Sequence, residues 1–225
     1  MNLQKEFLKF LKKPEINTPV SLSFKQSIIL FIKCIPIYII FITICILLFI
    51  PLSIFDLVPE THKRTMSDAF DLIILAPVLE ELFFRFPLRN FFRNIFLSIA
   101  LLVYAFSKTY LGIPIAIVFA FLIAALPYIP GFINRYEFGV NKFINKYYPH
   151  FFYLVAFIFG FIHMGNLINP SVAHYFVSPI IVLYQILLGL FLGFLRVKYK
   201  WGIFYSILIH ASFNSIPVII KLLFA

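Results

Sequence analysis

Residues 28–50, IILFIKCIPIYIIFITICILLFI, carry a single charged side chain, Lys33, in 23 positions. A helix rising 1.5 Å per residue takes a run of this length across the ~30 Å hydrocarbon core of a bilayer. The 27 residues before it are largely polar and basic, and the run is too long for the apolar part of a cleavable signal, so it reads as a signal anchor.

Apolar runs recur after it at 69–88, 91–107, 110–129, 151–168, 175–195 and 201–223. With the first run they predict about seven membrane helices. Pro36, Pro77, Pro114, Pro179, Gly189 and Gly193 fall inside these runs and are compatible with spans, because neighbouring groups satisfy the freed backbone at membrane depth. Of the 225 residues, 62% are hydrophobic and 12% charged, too little polar surface to clothe a water-soluble globule. The expected fold is therefore all-α: a polytopic membrane helix bundle forming one domain over 28–225, preceded by a basic cytoplasmic segment 1–27. In that segment Leu3, Phe7, Phe10 and Leu11 share one helical face, and Lys5, Lys9, Lys12 and Lys13 lie elsewhere, the pattern of an interfacial helix on the bilayer.

The net charge of +10 reads as topology rather than nucleic-acid binding. With the N-terminus in the cytoplasm, fourteen of the 19 Lys and Arg fall on inside segments, and only Lys63, Arg64, Lys108 and Lys221 fall outside. Lys33, near the inner end of the first span, completes the set. The expectation is a multi-pass integral membrane protein, N-terminus in and C-terminus out, in the plasma membrane if the source is bacterial. The scheme puts a short turn near Ser107 and Lys108 and a cytoplasmic loop of mixed charge at 130–150. Cys34 and Cys45, eleven apart in one apolar run, write neither a disulfide framework nor a thiolate zinc site.

Ionisable groups inside spans cost at least ~2.5–3.5 kcal/mol each to insert, so they mark candidate function. The chain places them in three stretches: 80–85 (EELFFR), 159–163 (FGFIH) and 210–214 (HASFN). Glu81 and Arg85 are an i,i+4 pair on one helical face, whereas Glu80 points about 100° away from Glu81. Glu81 is then the partner of Arg85, and Glu80, without a local cation, is the carboxylate open to act as a general base. Pro77 removes a backbone donor and can bend the helix just before it. His163 alone reads first as a satisfied core group, and only in company with the other stretches as chemistry. His210 and Asn214, a turn apart on one face, could aim two donors at one point, as in an oxyanion site, or could cross-link helices. Helical rise puts Glu80 roughly 10–12 Å, His210 about 13 Å and His163 about 18 Å from the cytoplasmic ends of their spans, so the three can share a layer.

Glu-Glu-x-x-x-Arg, Phe-x-x-x-His and His-x-x-x-Asn, in this order on separate apolar helices, resemble the CPBP family of intramembrane proteases. That family includes the CAAX prenyl proteases and bacterial Abi or bacteriocin self-immunity proteins. The resemblance implies a membrane-embedded endopeptidase in which Glu80 and His163 hold and deprotonate a water while His210 and Asn214 bind the oxyanion. Glu81 and Arg85 would support that geometry. It leaves two mechanisms open. The metal-free one is favoured, with no cofactor; the alternative is a catalytic zinc held by Glu80, His163 and His210, although H-E-x-x-H is absent. The partner is a peptide or membrane-protein segment reaching the site from the bilayer or the cytoplasmic face; prenylation of it is not implied. Asn166, one turn after His163, is expected to orient that ring, whereas His62, His150 and His174 read as solvated. The rival functions are a non-catalytic scaffold or immunity protein of the same family, and a small transporter with a proton relay, for which no repeat is visible.

Overall fold

The computed structural model describes residues 2–61, 68–129 and 131–224. His62, Lys63 and Arg64 lie outside these residues, as do the side chains of Lys108, Arg135 and Lys221. Among the described residues the chain is helical, with only two isolated β-bridges, Val20 with Tyr199 and Thr61 with Leu167.

The first two helices are α1 (Leu3–Lys12) and α2 (Phe24–Ile54). Asn2 caps α1 by accepting the Lys5 N–H, and Ser23 and Gln26 form a reciprocal cap at the start of α2. The apolar face expected to lie on lipid instead packs on protein: Leu3 and Phe7 are buried with Phe41, Phe191 and Phe194. The Tyr153 hydroxyl donates to the Leu11 carbonyl, and Lys198 pairs with Glu6, so α1 is tied into the bundle.

The expected span 69–88 is an interrupted helix. A π-helical turn Asp71–Leu75 leads into α3 (Ala76–Glu80), followed by a second π turn Glu81–Arg85 and a 3₁₀ turn Phe86–Leu88. In each π turn the first carbonyl is taken by an N–H five residues on, Ala76 to Asp71 and Phe86 to Glu81. The next carbonyls, Leu72 and Leu82, then face Pro77 and Pro87, which have no N–H. Side chains from other helices take over: Asn214 Nδ2 donates to Leu72 O at 3.0 Å and Ser98 Oγ to Leu82 O at 3.0 Å. Buried carbonyls in a bundle need such partners, and the interruption is stable because neighbouring helices supply them.

Four further expectations are corrected. α4 (Phe91–Leu111) runs through Ser107 and Lys108, and the turn falls at Gly112, whose φ of 79° favours a residue without Cβ, before α5 (Ile113–Ala125). The segment expected as a loop at 130–150 is helix α6 (Phe132–Lys146), held to α4 by a two-point Arg93–Glu137 pair at 3.0 and 3.2 Å and by Asn141 accepting the Phe92 N–H. α7 (Tyr148–Ile162) ends in a 3₁₀ turn, His163–Asn166, instead of continuing to 168. The run 175–195 is divided among α8 (Val172–Phe176), α9 (Ser178–Ile181) and α10 (Leu183–Lys198), and α11 (Gly202–Phe224) completes the chain.

Among the described residues, three helical stretches are long and apolar enough to cross a membrane, Phe24–Ile54, Tyr148–Asn166 and Gly202–Ile219, which marks a membrane protein. Of the other expected spans, 69–88 and 175–195 are broken, and the apolar stretches Phe91–Tyr104 and Ile113–Tyr128 are shorter among the described residues. α7 and α10 approach closely because of glycines: a Cβ on Gly160 would lie 2.3 Å from Ile186 Cγ1, and one on Gly189 3.1 Å from Phe159. That approach puts Phe159 at the centre of the bundle, fully buried.

Candidate active site

The interrupted helix, the end of α7, the start of α10 and the middle of α11 enclose a cavity of about 320 Å³. Glu80, His163, His210 and Asn214, spread over 134 positions of sequence, all line it.

Two adjacent glutamates have opposite environments. Glu81 is fully buried, its Oε1 lying 2.9 Å from His210 Nδ1 and 3.4 Å from Arg85 Nη1. Arg85 is buried as well, and its guanidinium carbon sits 3.6 Å from the centre of the Phe159 ring. The ring face therefore stabilises a cation that makes no hydrogen bond through Nη1 or Nη2. Glu80 turns the other way into the cavity and stays 28% exposed. Its Oε2 has no hydrogen-bond partner, and the nearest polar group to it in an ion pair is His210 Nε2 at 3.7 Å.

Both histidine rings are oriented by their Nδ1 atoms. His163 Nδ1 is 2.8 Å from the Phe159 carbonyl, which can only accept, so Nδ1 carries the proton and a neutral ring keeps its lone pair on Nε2. The Phe159 carbonyl thus holds His163 as Asn166 was expected to do; Asn166 lines the cavity instead. His210 Nδ1 likewise gives its hydrogen to the Glu81 carboxylate, leaving Nε2 toward Glu80. A neutral His210 presents a lone pair there, and a protonated one presents a donor.

The Asn214 amide uses one N–H on Leu72 O, so the donor expected to be free is half committed to holding the interrupted helix. Its second N–H is the one left for the cavity. Among the described residues no three His, Cys, Asp or Glu side chains form a group able to hold a metal ion.

Two polar lining residues that the sequence reading did not single out are Tyr184 and Gln185, side by side on α10. Gln185 Oε1 is buried without a hydrogen-bond partner. A lone amide in the apolar run 175–195 is the signal by which it was open to notice. His150 and His174 lie outside the cavity, and His174 closes a cap with Ser171.

No protein-family model, no curated protein and no solved structure matches this chain.

Proposed function

We propose that the chain is a membrane-embedded endopeptidase of the CPBP type that hydrolyses a peptide bond without a metal. The observation that carries the reading is the meeting of Glu80, His163, His210 and Asn214 on one cavity, with the Glu80 Oε2 unpartnered inside it. The motif resemblance of 80–85, 159–163 and 210–214 supports the same chemistry. So does the separation of duties between the glutamates, one locked in an ion pair and one open.

In this mechanism a water donates one hydrogen to Glu80 and the other to His163 Nε2. Glu80 takes its proton as the oxygen attacks the substrate carbonyl carbon. The carbonyl oxygen becomes an oxyanion facing the Nε2–H of a protonated His210 and the second N–H of Asn214. Glu80 then passes its proton to the leaving nitrogen, the oxyanion collapses as the C–N bond breaks, and an amine and a carboxylic acid depart. Glu81 and Arg85 touch no substrate; they fix the His210 ring. The proposal includes the seven-span arrangement with a cytoplasmic N-terminus, with α4, α5 and the interrupted segments 69–88 and 175–195 also crossing the bilayer as parts of the bundle.

The second reading, a non-catalytic scaffold, draws on the Asn214–Leu72 bond, which spends a motif donor on helix packing. The two are separated by expressing wild type and Glu80→Gln at matched levels and comparing membrane-protein termini by mass spectrometry. Peptidase activity gives new termini with the wild type alone. Identical termini, with Glu80→Gln complementing a deletion, leave the scaffold.

A further inference from the structure

The four walls of the cavity are lined on one half only. On the interrupted helix its residues run from Leu72 to Glu80 and none follows; on α10 they run from Tyr184 to Leu188 and none follows. On α7 and its 3₁₀ turn they begin at Phe159 and end at Asn166, and on α11 they begin at His210 and end at Val218.

The ends these residues avoid are gathered at one face of the molecule. Tyr148 Oη donates to Leu88 O, Arg89 donates to Tyr199 O, and Arg196 donates to the Arg85 and Phe86 carbonyls. That face carries Arg89, Lys146, Arg196, Lys198 and Lys200, and by the distribution of cations it is the cytoplasmic one. Between it and Glu80 the bundle is packed shut: Glu81, Arg85, Phe159, Leu192 and Leu195 are each no more than 1% exposed. Beyond Glu80 the lining opens. Leu72, Asn166 and Val218 are partly exposed and Pro217 is exposed. At the same far end the strand-like segment at Glu60 and Thr61 pairs with Leu167 and Ile168.

We infer that the cavity is entered by water and substrate from the face opposite the basic one, so that its substrate is a peptide segment presented on the translocated side of the membrane. The substrate class rests on the peptidase reading; the side of entry does not. It departs from the entry by the bilayer or cytoplasmic face that the motifs alone would suggest. A soluble cytoplasmic tail has no open path to Glu80 through the packed layer. The outward end of a membrane span, or a peptide already translocated, reaches Glu80 along the residues that line α11 from Val218 down to His210.

Cysteine accessibility tests the side of entry on the full chain without knowledge of the substrate. Gln185→Cys and Val218→Cys report on the cavity, and Lys200→Cys, exposed at the basic face, is the reference. The wild type, with Cys34 buried and Cys45 half-buried, sets the background. A charged, membrane-impermeant maleimide is applied to intact cells of a bacterial expression host and to inverted membrane vesicles. The expected result is labelling of Gln185→Cys and Val218→Cys in intact cells, with Lys200→Cys labelled only in inverted vesicles. Labelling of Gln185→Cys only in inverted vesicles overturns the inference. So does reaction with an uncharged permeant maleimide alone, which means a lateral opening to lipid. Silence toward both reagents, with normal reaction after denaturation, means a sealed cavity and overturns it too. Unchanged termini for Glu80→Gln would remove the peptidase while leaving the labelling result intact.

Discussion

His210 Nδ1 lies 2.9 Å from Glu81 Oε1, and this bond joins two buried groups 129 residues apart in the chain. Through it the seventh expected span is fixed to the second, and the orientation of the His210 ring is settled before any substrate arrives. The same oxygen faces Arg85, so one carboxylate serves both a cation and a ring N–H.

Removing that carboxylate charge is expected to be far more costly than removing its neighbour's. Glu81→Gln leaves the Arg85 cation buried against Phe159 without its paired carboxylate, a loss of about 3–5 kcal/mol. Glu80→Gln keeps the shape of a partly exposed side chain and changes stability by about 0.5 kcal/mol or less. Thermal unfolding of the two variants in the same detergent reads the contrast. Equal losses would mean that Glu80 is as deeply built into the charge cluster as Glu81.

The two nitrogens of His210 have separate tasks, which amide substitutions divide. An Asn amide nitrogen reaches the position of Nδ1, so His210→Asn keeps the bond to Glu81 and leaves the cavity without its Nε2 group. A Gln amide reaches the position of Nε2, so His210→Gln restores a cavity donor and leaves Glu81 without its ring partner. The expected outcome is a stable but inactive His210→Asn. His210→Gln is expected to unfold at lower temperature, by about 1–3 kcal/mol for the buried unsatisfied acceptor, while keeping residual cleavage. Reversed behaviour of the pair would assign the catalytic role to the Nδ1 side.

The long apolar spans at α2, α7 and α11 were legible because hydrophobic length alone specifies them. The Glu81–Arg85 pairing was legible because i,i+4 spacing is local. The His210–Glu81 bond was not, since nothing in local spacing relates residues so far apart. The loop expected at 130–150 is a helix tied to α4 by its acidic residue, Glu137 pairing with Arg93. Its polarity marked an exposed face rather than an absence of structure. The interruption of the second span left a local trace: an acidic residue, Leu, and Pro five after the Leu occur twice, as Asp71-Leu72 with Pro77 and Glu81-Leu82 with Pro87. Only the bend at Pro77 was read from it, because a proline alone does not say which carbonyl it orphans.

Two glycines predict opposite signs. A Cβ on Gly202 would lie 2.4 Å from Leu195 O and 2.6 Å from Arg196 O, backbone atoms that move only with the turn between α10 and α11. Gly202→Ala is therefore expected to destabilise by about 1–3 kcal/mol. Gly139, exposed in the middle of α6, has open space where a Cβ would go. Gly139→Ala should stabilise by roughly 0.5–1 kcal/mol if 132–146 is helical, and do nothing of the kind in a loop. Denaturation midpoints for the two variants measure both.

The Asn214–Leu72 bond exists because Pro77 has no N–H to offer the Leu72 carbonyl, and that dependence can be measured. In the wild type, Asn214→Ala strands a backbone acceptor in an apolar bundle and should cost about 0.6–2 kcal/mol, the range for hydrogen bonds between membrane helices. Pro77→Ala restores an N–H five residues beyond Leu72, so the carbonyl regains a partner within its own segment. In that background Asn214→Ala should cost markedly less, and a double-mutant cycle over the four proteins should return a coupling of about 0.5 kcal/mol or more. The same cycle on Ser98 and Pro87, where Ser98 Oγ serves Leu82 O, should return a coupling of the same sign. Activity separates the structural from the chemical use of Asn214. With Pro77→Ala alone, Asn214 is released from Leu72 while the rest of the cavity lining is unchanged. Cleavage that persists with Pro77→Ala and disappears with Asn214→Ala in the same background gives the amide a role at the oxyanion. Cleavage that survives both substitutions confines Asn214 to holding the interrupted helix, and leaves His210 as the one donor facing the substrate carbonyl.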